Sequence, residues 1–559
     1  MYILIMSELI KVLSHSVSRL NNLASRVVRQ YCSTGPAVAA VSMVSCVPRA
    51  LALLALALLA GGGSAARILC YFPVPSISHQ VVFRPLTQEL ARRGHQVTVL
   101  TPDPAFPPGG APANLTEVDF HDRSYELWRE AFVKEITGNS KKSFNALKSG
   151  FSAIIDVIDY QLGTAEMRRA LAAGPYDLVF TEALARPALV LGHIFDAPVI
   201  QISSFGALPP SFQVFGAPSH PLLYPELSRK RLYNLSLWEK IEGIYEDLSL
   251  HWLQWQLQAA EDAVLARHVP GAPRVAELGA RAQLLFLNVH RVFDGNRPAP
   301  PGVVYLGGLH QKPPQELPSD IKSYLDSSKH GVIYMSFGTN VSPSRLPAAS
   351  IQLFNRVFAA LPYDVLWKWD RDEMPGKADN IRISKWLPQA DLLRHPKVVL
   401  FITQAGLQST DEAITAGVPL LAFPMLGDQW YNAEKYEHLH IGLKRELAAL
   451  TDELLAASIH TLIHDDSYRA SIKRLGAVVA DQPQSPLERA VWWTEHALRH
   501  RGAAHLRAPA AGVSWAEFLM LDVLAVISAA VMAAVTVCVV VLRTIYVTLF
   551  KRSAKVKKN

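Results

Sequence analysis

Polar side chains that could bind an anion and a polyhydroxyl compound are concentrated between residues 401 and 434, in the stretch FITQAGLQSTDEAITAGVPLLAFPMLGDQWYNAE. An apolar strand is predicted there to turn through Gln404-Ala405-Gly406 into a helix starting near Ser409. Small residues let a ligand approach the backbone, and the free N–H groups of a helix N-terminus favour phosphate. The next strand leads to Asp428 and Gln429, an acceptor beside an amide donor, which suits a polyhydroxyl ligand.

Ser409 and Glu412 allow two interpretations. Ser409-Thr410-Asp411-Glu412 has the S-x-x-E pattern of a capping box, in which both side chains bond to the first backbone amides of a helix. Local sequence favours this structural role over contact with a ligand. The stretch also lacks the lysine of a nucleotide-hydrolysing phosphate loop, and the chain has no G-x-G-x-x-G. The residues alone therefore indicate an anion site without identifying its ligand.

Two α/β halves are predicted to position these residues. From Ala66 the pattern is an apolar strand, an amphipathic helix that ends near Gly94, and a second strand. Strand and helix signals alternate again from GVIYMSFG to VPLLAFP, after a proline-rich connector. This alternation predicts two facing doubly wound parallel sheets, in which ligands bind beyond the carboxyl ends of the strands.

The sequence divides into seven predicted segments. They are an N-terminal leader with a signal peptide (1–66), a first domain (67–291), a proline-rich linker (292–318), a second domain (319–484), a C-terminal helix packing back on both domains (485–518), a transmembrane helix (519–542) and a basic tail (543–559).

Apolar segments near both ends predict a membrane protein. The run from Ala50 to Ala60 follows Arg49 and is typical of a secretory signal, with Met43 as a conventional start. Val523 to Leu542 contains no charge and is long enough to cross a bilayer as a helix. Six lysines and arginines and no acids follow it, which predicts a single-pass type I protein with a cytosolic tail and lumenal domains. The final KVKKN resembles a dilysine signal for the endoplasmic reticulum.

Charge and cysteine content exclude several classes of site. The formal net charge of +7 is concentrated in the leader and the tail, so no basic face for nucleic acid is predicted. Of the four cysteines, only Cys70 lies in the predicted lumenal part. A disulfide framework and a cysteine metal site within one chain are therefore excluded.

Several spaced motifs together resemble the UDP-dependent glycosyltransferases, particularly their membrane-bound animal members. The resemblance rests on the segment from IRISKWLPQ to DQWYNAE, together with Ser78-His79, RRGHQVTVL, FDGNRPAPPGVVYLGGLH, YMSFGT and RGAAHLR. It implies the GT-B fold, an α/β arrangement of two facing Rossmann-like domains, here followed by one transmembrane helix. The second domain would bind the UDP-sugar donor, and the first a small lipophilic acceptor. Homo-oligomers are also possible in such a family.

The resemblance also assigns donor-binding roles. Trp386 would stack on uracil, Gln389 would bond to its edge, and Glu412 would accept from both ribose hydroxyls, which reverses the capping interpretation. The remaining predicted donor-binding residues are Gly338, Gln404, Gly406, Gln408, Ser409, Asp428 and Gln429. Most relatives have His-Gly-Gly where this chain has Gln404-Ala405-Gly406, a departure familiar among insect and insect-virus members, which favours UDP-glucose as donor.

His79 is the predicted general base, with Glu182 behind it. A histidine has a free pKa close to neutral, which suits removal of a proton from an acceptor hydroxyl. The family places an aspartate where this chain has Glu182, after LVFT; the longer carboxylate can still orient the imidazole. The reaction implied is transfer of a hexosyl group, with glucose as the expected sugar, by a single displacement with inversion. It requires no metal or other cofactor.

Three alternatives remain. Asp370-Arg371-Asp372 has the D-x-D pattern by which another glycosyltransferase fold holds manganese, although its Pro-Gly context favours a solvated turn. A catalytically weak lumenal protein that retains the fold and binds lipophiles is a second possibility, and the same enzyme using UDP-glucuronate is a third.

Overall fold

The computed structural model of the protein describes residues 65–131 and 143–551. The predicted signal segment and the KVKKN signal lie outside these residues. Within them the chain forms two parallel sheets, each covered by helices, followed by a long apolar helix. This confirms the predicted α/β class with two doubly wound sheets.

The first sheet has seven strands in the order β3-β2-β1-β4-β5-β6-β7, and every pair is parallel. Its strands are β1 (Arg67–Tyr71), β2 (Gln96–Thr101), β3 (Leu115–Asp119), β4 (Leu178–Glu182), β5 (Val199–Ser203), β6 (Ala282–Leu287) and β7 (Val303–Tyr305). Its helices are α1 (Ile77–Arg92), α2 (His121–Ala131), α3 (Ser143–Leu162), α4 (Ala165–Ala172), α5 (Val190–Ile194), α6 (Pro209–Val214), α7 (Leu237–His268) and α8 (Val275–Leu278).

Alternating side chains of β1 show how this sheet is buried on both faces. Ile68 and Cys70 belong to an apolar cluster that includes side chains of α1, whereas Leu69 and Tyr71 belong to another that includes Ile158 of α3. All four are fully buried, as expected for a central strand of a parallel sheet. The strand alternation therefore fixes α1 and α3 on opposite faces.

Strand β7 lies within residues 292–318, where the sequence predicts a linker. Its three residues pair with β6, so the first sheet continues past residue 291, the predicted end of the first domain. Pro300 and Pro301 precede these three residues closely and made a strand hard to predict, although proline is tolerated next to an edge strand.

The second sheet has six parallel strands in the order β10-β9-β8-β11-β12-β13. Its strands are β8 (Val332–Ser336), β9 (Asp364–Lys368), β10 (Ile381–Ser384), β11 (Val398–Thr403), β12 (Leu420–Ala422) and β13 (Gly442–Lys444). Its helices are α9 (Ser319–Ser327), α10 (Ala348–Ala359), α11 (Gln389–Leu393), α12 (Leu407–Ala416), α13 (Gln429–His438), α14 (Asp452–His464) and α15 (Asp466–Ala480). After β10 the chain returns to place β11 beside β8, and the boundary between β8 and β11 is the switch point at which a ligand is expected.

Three further α-helices follow within the described residues: α16 (Pro486–Arg499), α17 (Trp515–Phe518) and α18 (Leu521–Tyr546). Helix α16 packs against the first domain, where Ala490 and Val491 join the cluster of α1 and Arg93 pairs with Glu495 at 3.1 Å. Among the described residues, only the helical span Leu521–Leu549 is long and apolar enough to cross a membrane.

Candidate active site

A cavity of about 480 Å³ lies between the two sheets, at the carboxyl ends of their strands. Its wall on the first domain is largely apolar; the residues include Val74, Ile77, Trp128, Phe151, Ile154, Leu184, Phe205 and Leu208. Its wall on the second domain carries polar side chains, and all ten of the predicted donor-binding residues lie there: Gly338, Trp386, Gln389, Gln404, Gly406, Gln408, Ser409, Glu412, Asp428 and Gln429. One cavity thus has an apolar side and a hydrogen-bonding side.

The helix N-terminus at the cavity belongs to α12. It begins at Leu407, two residues before the predicted start, and Gly406 is its N-cap without a side-chain bond. The first backbone bond is donated by Thr410 to the Gly406 carbonyl at 3.0 Å. The preceding amides of Leu407, Gln408 and Ser409 are therefore available to an anion at the edge of the cavity.

Gly338 and Gln404 lie in contact beside this turn. Gly338 follows β8 with φ +74°, and a Cβ built there would lie 2.3 Å from the Gln404 Nε2. The Gln404 Oε1 is buried and has no hydrogen-bond partner among the described residues. The absence of a side chain at Gly338 therefore makes room for the Gln404 side chain at this part of the cavity wall.

Replacing Gly338 by alanine is expected to lower the free energy of unfolding by about 1–2 kcal/mol and to displace Gln404. Gly376→Ala is the matched control, since its φ is +70° and its added Cβ meets nothing within 4 Å. Urea unfolding of both variants separates the backbone cost from the clash. Equal losses in the two variants would show that Gln404 moves aside without cost.

Glu412 does not form the capping box that its sequence pattern suggests. Its Oε2 accepts a 2.8 Å hydrogen bond from the Gln389 Nε2, which also donates to the Ser409 Oγ at 2.8 Å. The Tyr334 hydroxyl donates to the Gln389 Oε1 at 2.9 Å. Burial raises the pKa of Glu412 to about 7. Gln389 is therefore held between its neighbours and orients the carboxylate.

Trp386 presents an open indole to the cavity. It follows β10, and 67% of its surface is exposed, which is unusual for tryptophan in a soluble domain. The Lys368 Nζ lies 4.9 Å from the indole centroid and donates to the Gly338 carbonyl at 2.9 Å. Sequence reasoning missed Lys368, although it ends β9 and the rule about strand ends points to it. Burial lowers the pKa of this lysine.

Asp428 and Gln429 lie at the start of α13. The Gln429 Oε1 accepts from the backbone amides of Met425 and Leu426 at 2.8 and 2.9 Å, which leaves its Nε2 for a ligand. The Asp428 Oδ2 accepts from the Asn432 Nδ2 at 2.8 Å, and burial raises the pKa of Asp428 to about 6. The turn after β12 thus places a carboxylate and an amide donor side by side in the cavity wall.

Gln408 connects the two domains in this structure. Its Nε2 donates to the Ser204 carbonyl at 2.9 Å, across the cavity, and its own carbonyl lies 3.3 Å from the His310 Nε2. The side chain predicted to bind a diphosphate is therefore engaged with the first domain, while its backbone amide stays at the start of α12.

His79 and Glu182 are brought together by neighbouring strands. His79 lies in the first turn of α1, after β1, and Glu182 ends β4, which pairs with β1. The His79 Nδ1 and the Glu182 Oε1 are 2.5 Å apart, with Glu182 fully buried and His79 facing the cavity. Since Nδ1 faces the carboxylate, Nε2 is the ring nitrogen available to a ligand. The pair lies where the apolar and polar walls meet.

The D-x-D segment lies outside the cavity. Asp370 accepts from the backbone amide and hydroxyl of Ser344 at 2.9 and 2.7 Å, and Asp372 pairs with Lys385 at 2.8 Å. Both carboxylates thus have local partners, as the turn interpretation predicts. Across residues 65–131 and 143–551, no group of three His, Cys, Asp or Glu side chains is arranged to hold a metal.

Comparisons with known proteins agree with this geometry. The family model described as UDP-glucoronosyl and UDP-glucosyl transferase matches residues 68–557. An ecdysteroid UDP-glucosyltransferase of Lymantria dispar multicapsid nuclear polyhedrosis virus is 40% identical over 474 residues, covering 82% of this chain and 92% of the relative. UDP-glucosyltransferase 2 of Dactylopius coccus is 30% identical over 489 residues, covering 85% and 92%.

Solved structures show the same fold. The kitacinnamycin glycotransferase aligns with a TM-score of 0.56 at 20% identity, covering 77% of this chain and 99% of that one. The calicheamicin glycosyltransferase aligns with a TM-score of 0.54 at 18% identity, covering 78% and 98%. These likenesses confirm the predicted GT-B architecture. With residues 68–557 matched by its family model, the chain belongs to the UDP-glycosyltransferases and is an enzyme of glycosyl transfer from a UDP-sugar.

Proposed function

We propose that the protein transfers glucose from UDP-glucose to a hydroxyl of a small lipophilic acceptor, with inversion at the anomeric carbon and His79 as the general base. The observation that carries the proposal is the His79–Glu182 pair at 2.5 Å, at the junction of an apolar and a polar wall of one cavity. An acceptor held by the apolar wall would present its hydroxyl to the imidazole. A donor on the polar wall would present its anomeric carbon from the other side.

The donor is proposed to lie along the second domain. Uracil stacks on Trp386, the ribose hydroxyls donate to Glu412, and Gln389 holds that carboxylate while reaching the base. The diphosphate accepts from the amides at the start of α12 and from Gln404, Ser409 and Gln408; the Gln408 side chain does so on leaving Ser204. Gly406 and Gly338 have no side chains, so the donor can approach the backbone of the second domain there. Asp428 and Gln429 bind the sugar hydroxyls.

Proton transfer follows from the geometry of the base. The His79 Nε2 takes the proton of the acceptor hydroxyl as its oxygen attacks the anomeric carbon. The bond from that carbon to the diphosphate oxygen breaks on the opposite face, which gives inversion. Glu182 fixes the imidazole tautomer and stabilises the imidazolium that forms. The helix N-terminus stabilises the charge gained by UDP, without a metal ion.

Conjugate formation tests this function. Microsomes containing the full chain are incubated with UDP-glucose and a panel of phenols and ecdysteroids, the class named for the viral relatives. Glucosides are expected, and a protein that only binds lipophiles would yield none. Supplying UDP-glucose and UDP-glucuronate together identifies the transferred sugar. Preferential formation of glucuronides would show that UDP-glucuronate is the donor.

Chelation is expected to leave turnover unchanged, because the D-x-D carboxylates are paired with Ser344 and Lys385 rather than directed into the cavity. The rate of glucoside formation is measured with and without EDTA, and again after adding manganese. A loss of activity that manganese restores would contradict the metal-independent mechanism and favour the D-x-D alternative.

The apolar span Leu521–Leu549 is proposed to anchor the enzyme in the membrane of the endoplasmic reticulum, with the catalytic domains in the lumen. The basic residues after Leu542 support this orientation. Protease treatment of sealed microsomes is expected to remove only the tail. Digestion of the catalytic domains in the absence of detergent would contradict the proposed orientation and place the domains on the cytosolic side.

A further inference from the structure

Helix α7 carries a long apolar stripe that its own domain does not cover. Six side chains at alternating spacings of three and four residues share one face: Trp238, Ile241, Tyr245, Leu248, Trp252 and Trp255. Each is between 48% and 73% exposed. The stripe extends over about 26 Å at 1.5 Å per residue. A soluble protein rarely exposes so large a continuous aromatic surface.

The opposite face of α7 packs on the first domain. Gly243, Leu250, Leu253 and Gln254 are buried there, and Glu261 forms an ion pair with Arg186. At 100° per residue, these positions point away from the six exposed side chains. Helix α7 is therefore fixed by one face, and the stripe is a separate surface that requires its own partner.

The stripe lies beside the segment that leads into the apolar helix α18. His251, next to Trp252, lies 3.1 Å from the Gln213 side chain, and the backbone amide of Gly512 donates to the Gln213 carbonyl at 3.4 Å. Gly512 is nine residues before Leu521, where α18 begins. Between them Trp515, Phe518, Leu519 and Met520 are also exposed. A short piece of chain, from Gly512 to Leu521, thus connects the neighbourhood of the stripe to α18.

Aromatic content identifies the partner. Three tryptophans and one tyrosine make up most of the stripe, and these residues are enriched where a protein meets the interface of a bilayer. A helix that presents one such face lies in that interface, with its apolar side about 5–10 Å deep. We infer that α7 lies flat on the surface of the bilayer that α18 crosses, so that the first domain has its own membrane contact. This inference rests on the proposed anchoring by α18.

The charged side chains of α7 indicate which lipid headgroups it can lie against. Between Leu237 and Trp255 the helix has four acidic side chains and one lysine, none of them at the six stripe positions. Anionic headgroups would be repelled rather than attracted by this segment. Burial of apolar surface must therefore provide the contact, and zwitterionic phosphatidylcholine suffices as its surface.

Spin labelling of the full chain in phosphatidylcholine nanodiscs tests the inference. Labels are placed by Tyr245→Cys and Trp252→Cys on the stripe, by Lys240→Cys on an exposed polar position of α7, and by Val531→Cys in α18. Cys32, Cys46 and Cys538 are replaced by serine, while the buried Cys70 is kept. No α7 residue lines the cavity, so each variant must keep the glucosylation rate of the unlabelled background.

The expected result is that labels at 245, 252 and 531 collide more often with oxygen than with a water-soluble nickel chelate, and that the label at 240 does the reverse. Aqueous accessibility at 245 and 252, with 531 in lipid, would overturn the inference while leaving the anchor intact. Protection of 245 and 252 from both reagents, with short distances between spins, would overturn it in favour of pairing with a second copy. An aqueous 531 would refute both the anchor and the inference.

Discussion

Replacing His79 by alanine should lower kcat for glucosylation of a phenol by about 10³-fold, within the range supplied by a general base. Its imidazole is oriented by Glu182 at 2.5 Å and is the proposed acceptor of the hydroxyl proton. UDP should bind the variant as it binds the wild type, since the groups proposed to contact UDP all belong to the second domain. Steady-state rates and UDP titration measure the two effects separately.

Two further variants sharpen this test. His330→Ala removes an exposed histidine outside the cavity and should leave kcat unchanged. Glu182→Gln keeps the size of the positioning residue but removes its charge, so it should shift the pH profile of kcat and slow the reaction less than loss of His79. Full turnover by His79→Ala would remove the histidine from the mechanism.

Replacing Trp386 by alanine should raise the KM for UDP-glucose by about 5- to 150-fold, because stacking of one base on an aromatic ring contributes about 1–3 kcal/mol. The free indole has Lys368 at 4.9 Å from its ring, so uracil must use the open face or displace that cation. The value of kcat should change little, since the uracil is remote from the transferred sugar.

Trp255→Ala is the matched control, because its indole is as exposed as that of Trp386, at 69% against 67%, but lies outside the cavity. Its KM for UDP-glucose should equal that of the wild type. Equal KM values for Trp386→Ala and Trp255→Ala would show that Trp386 is not the base platform.

The sheets could be predicted because their signals are local. β1, β4, β8 and β11 are continuous apolar runs, and their parallel pairing follows from the helices that alternate with them. β7 could not be predicted, since three residues that closely follow a proline pair carry almost no periodic signal and are held by pairing with β6.

The candidate site was predictable only in part. Strand ends and a helix N-terminus indicated an anion site. The choice between capping and ligand binding for Glu412, however, required the family resemblance. In the structure, Gln389 bonds to both Ser409 and Glu412. Contacts between the domains, such as that of Gln408 with Ser204, depend on how the two domains meet, which local sequence does not encode.

Lys368 illustrates a different omission. Its place at the end of β9 was visible in the sequence, but a lysine at a strand end is usually solvated. Only the structure shows that it bonds to the Gly338 carbonyl beneath the indole of Trp386.

Calorimetric titration of the full chain with UDP between pH 6 and pH 8 tests the central claim most directly. Burial raises the pKa of Glu412 to about 7, and only its ionised form offers two carboxylate oxygens that can each accept from one ribose hydroxyl. The part of the affinity that depends on the ionised Glu412 should therefore fall by up to about tenfold from pH 8 to pH 6. Glu412→Gln should bind UDP more weakly and lack this part of the pH dependence. No association of UDP with the wild-type chain, or identical titrations for the two proteins, would contradict the assignment of this cleft as the donor site.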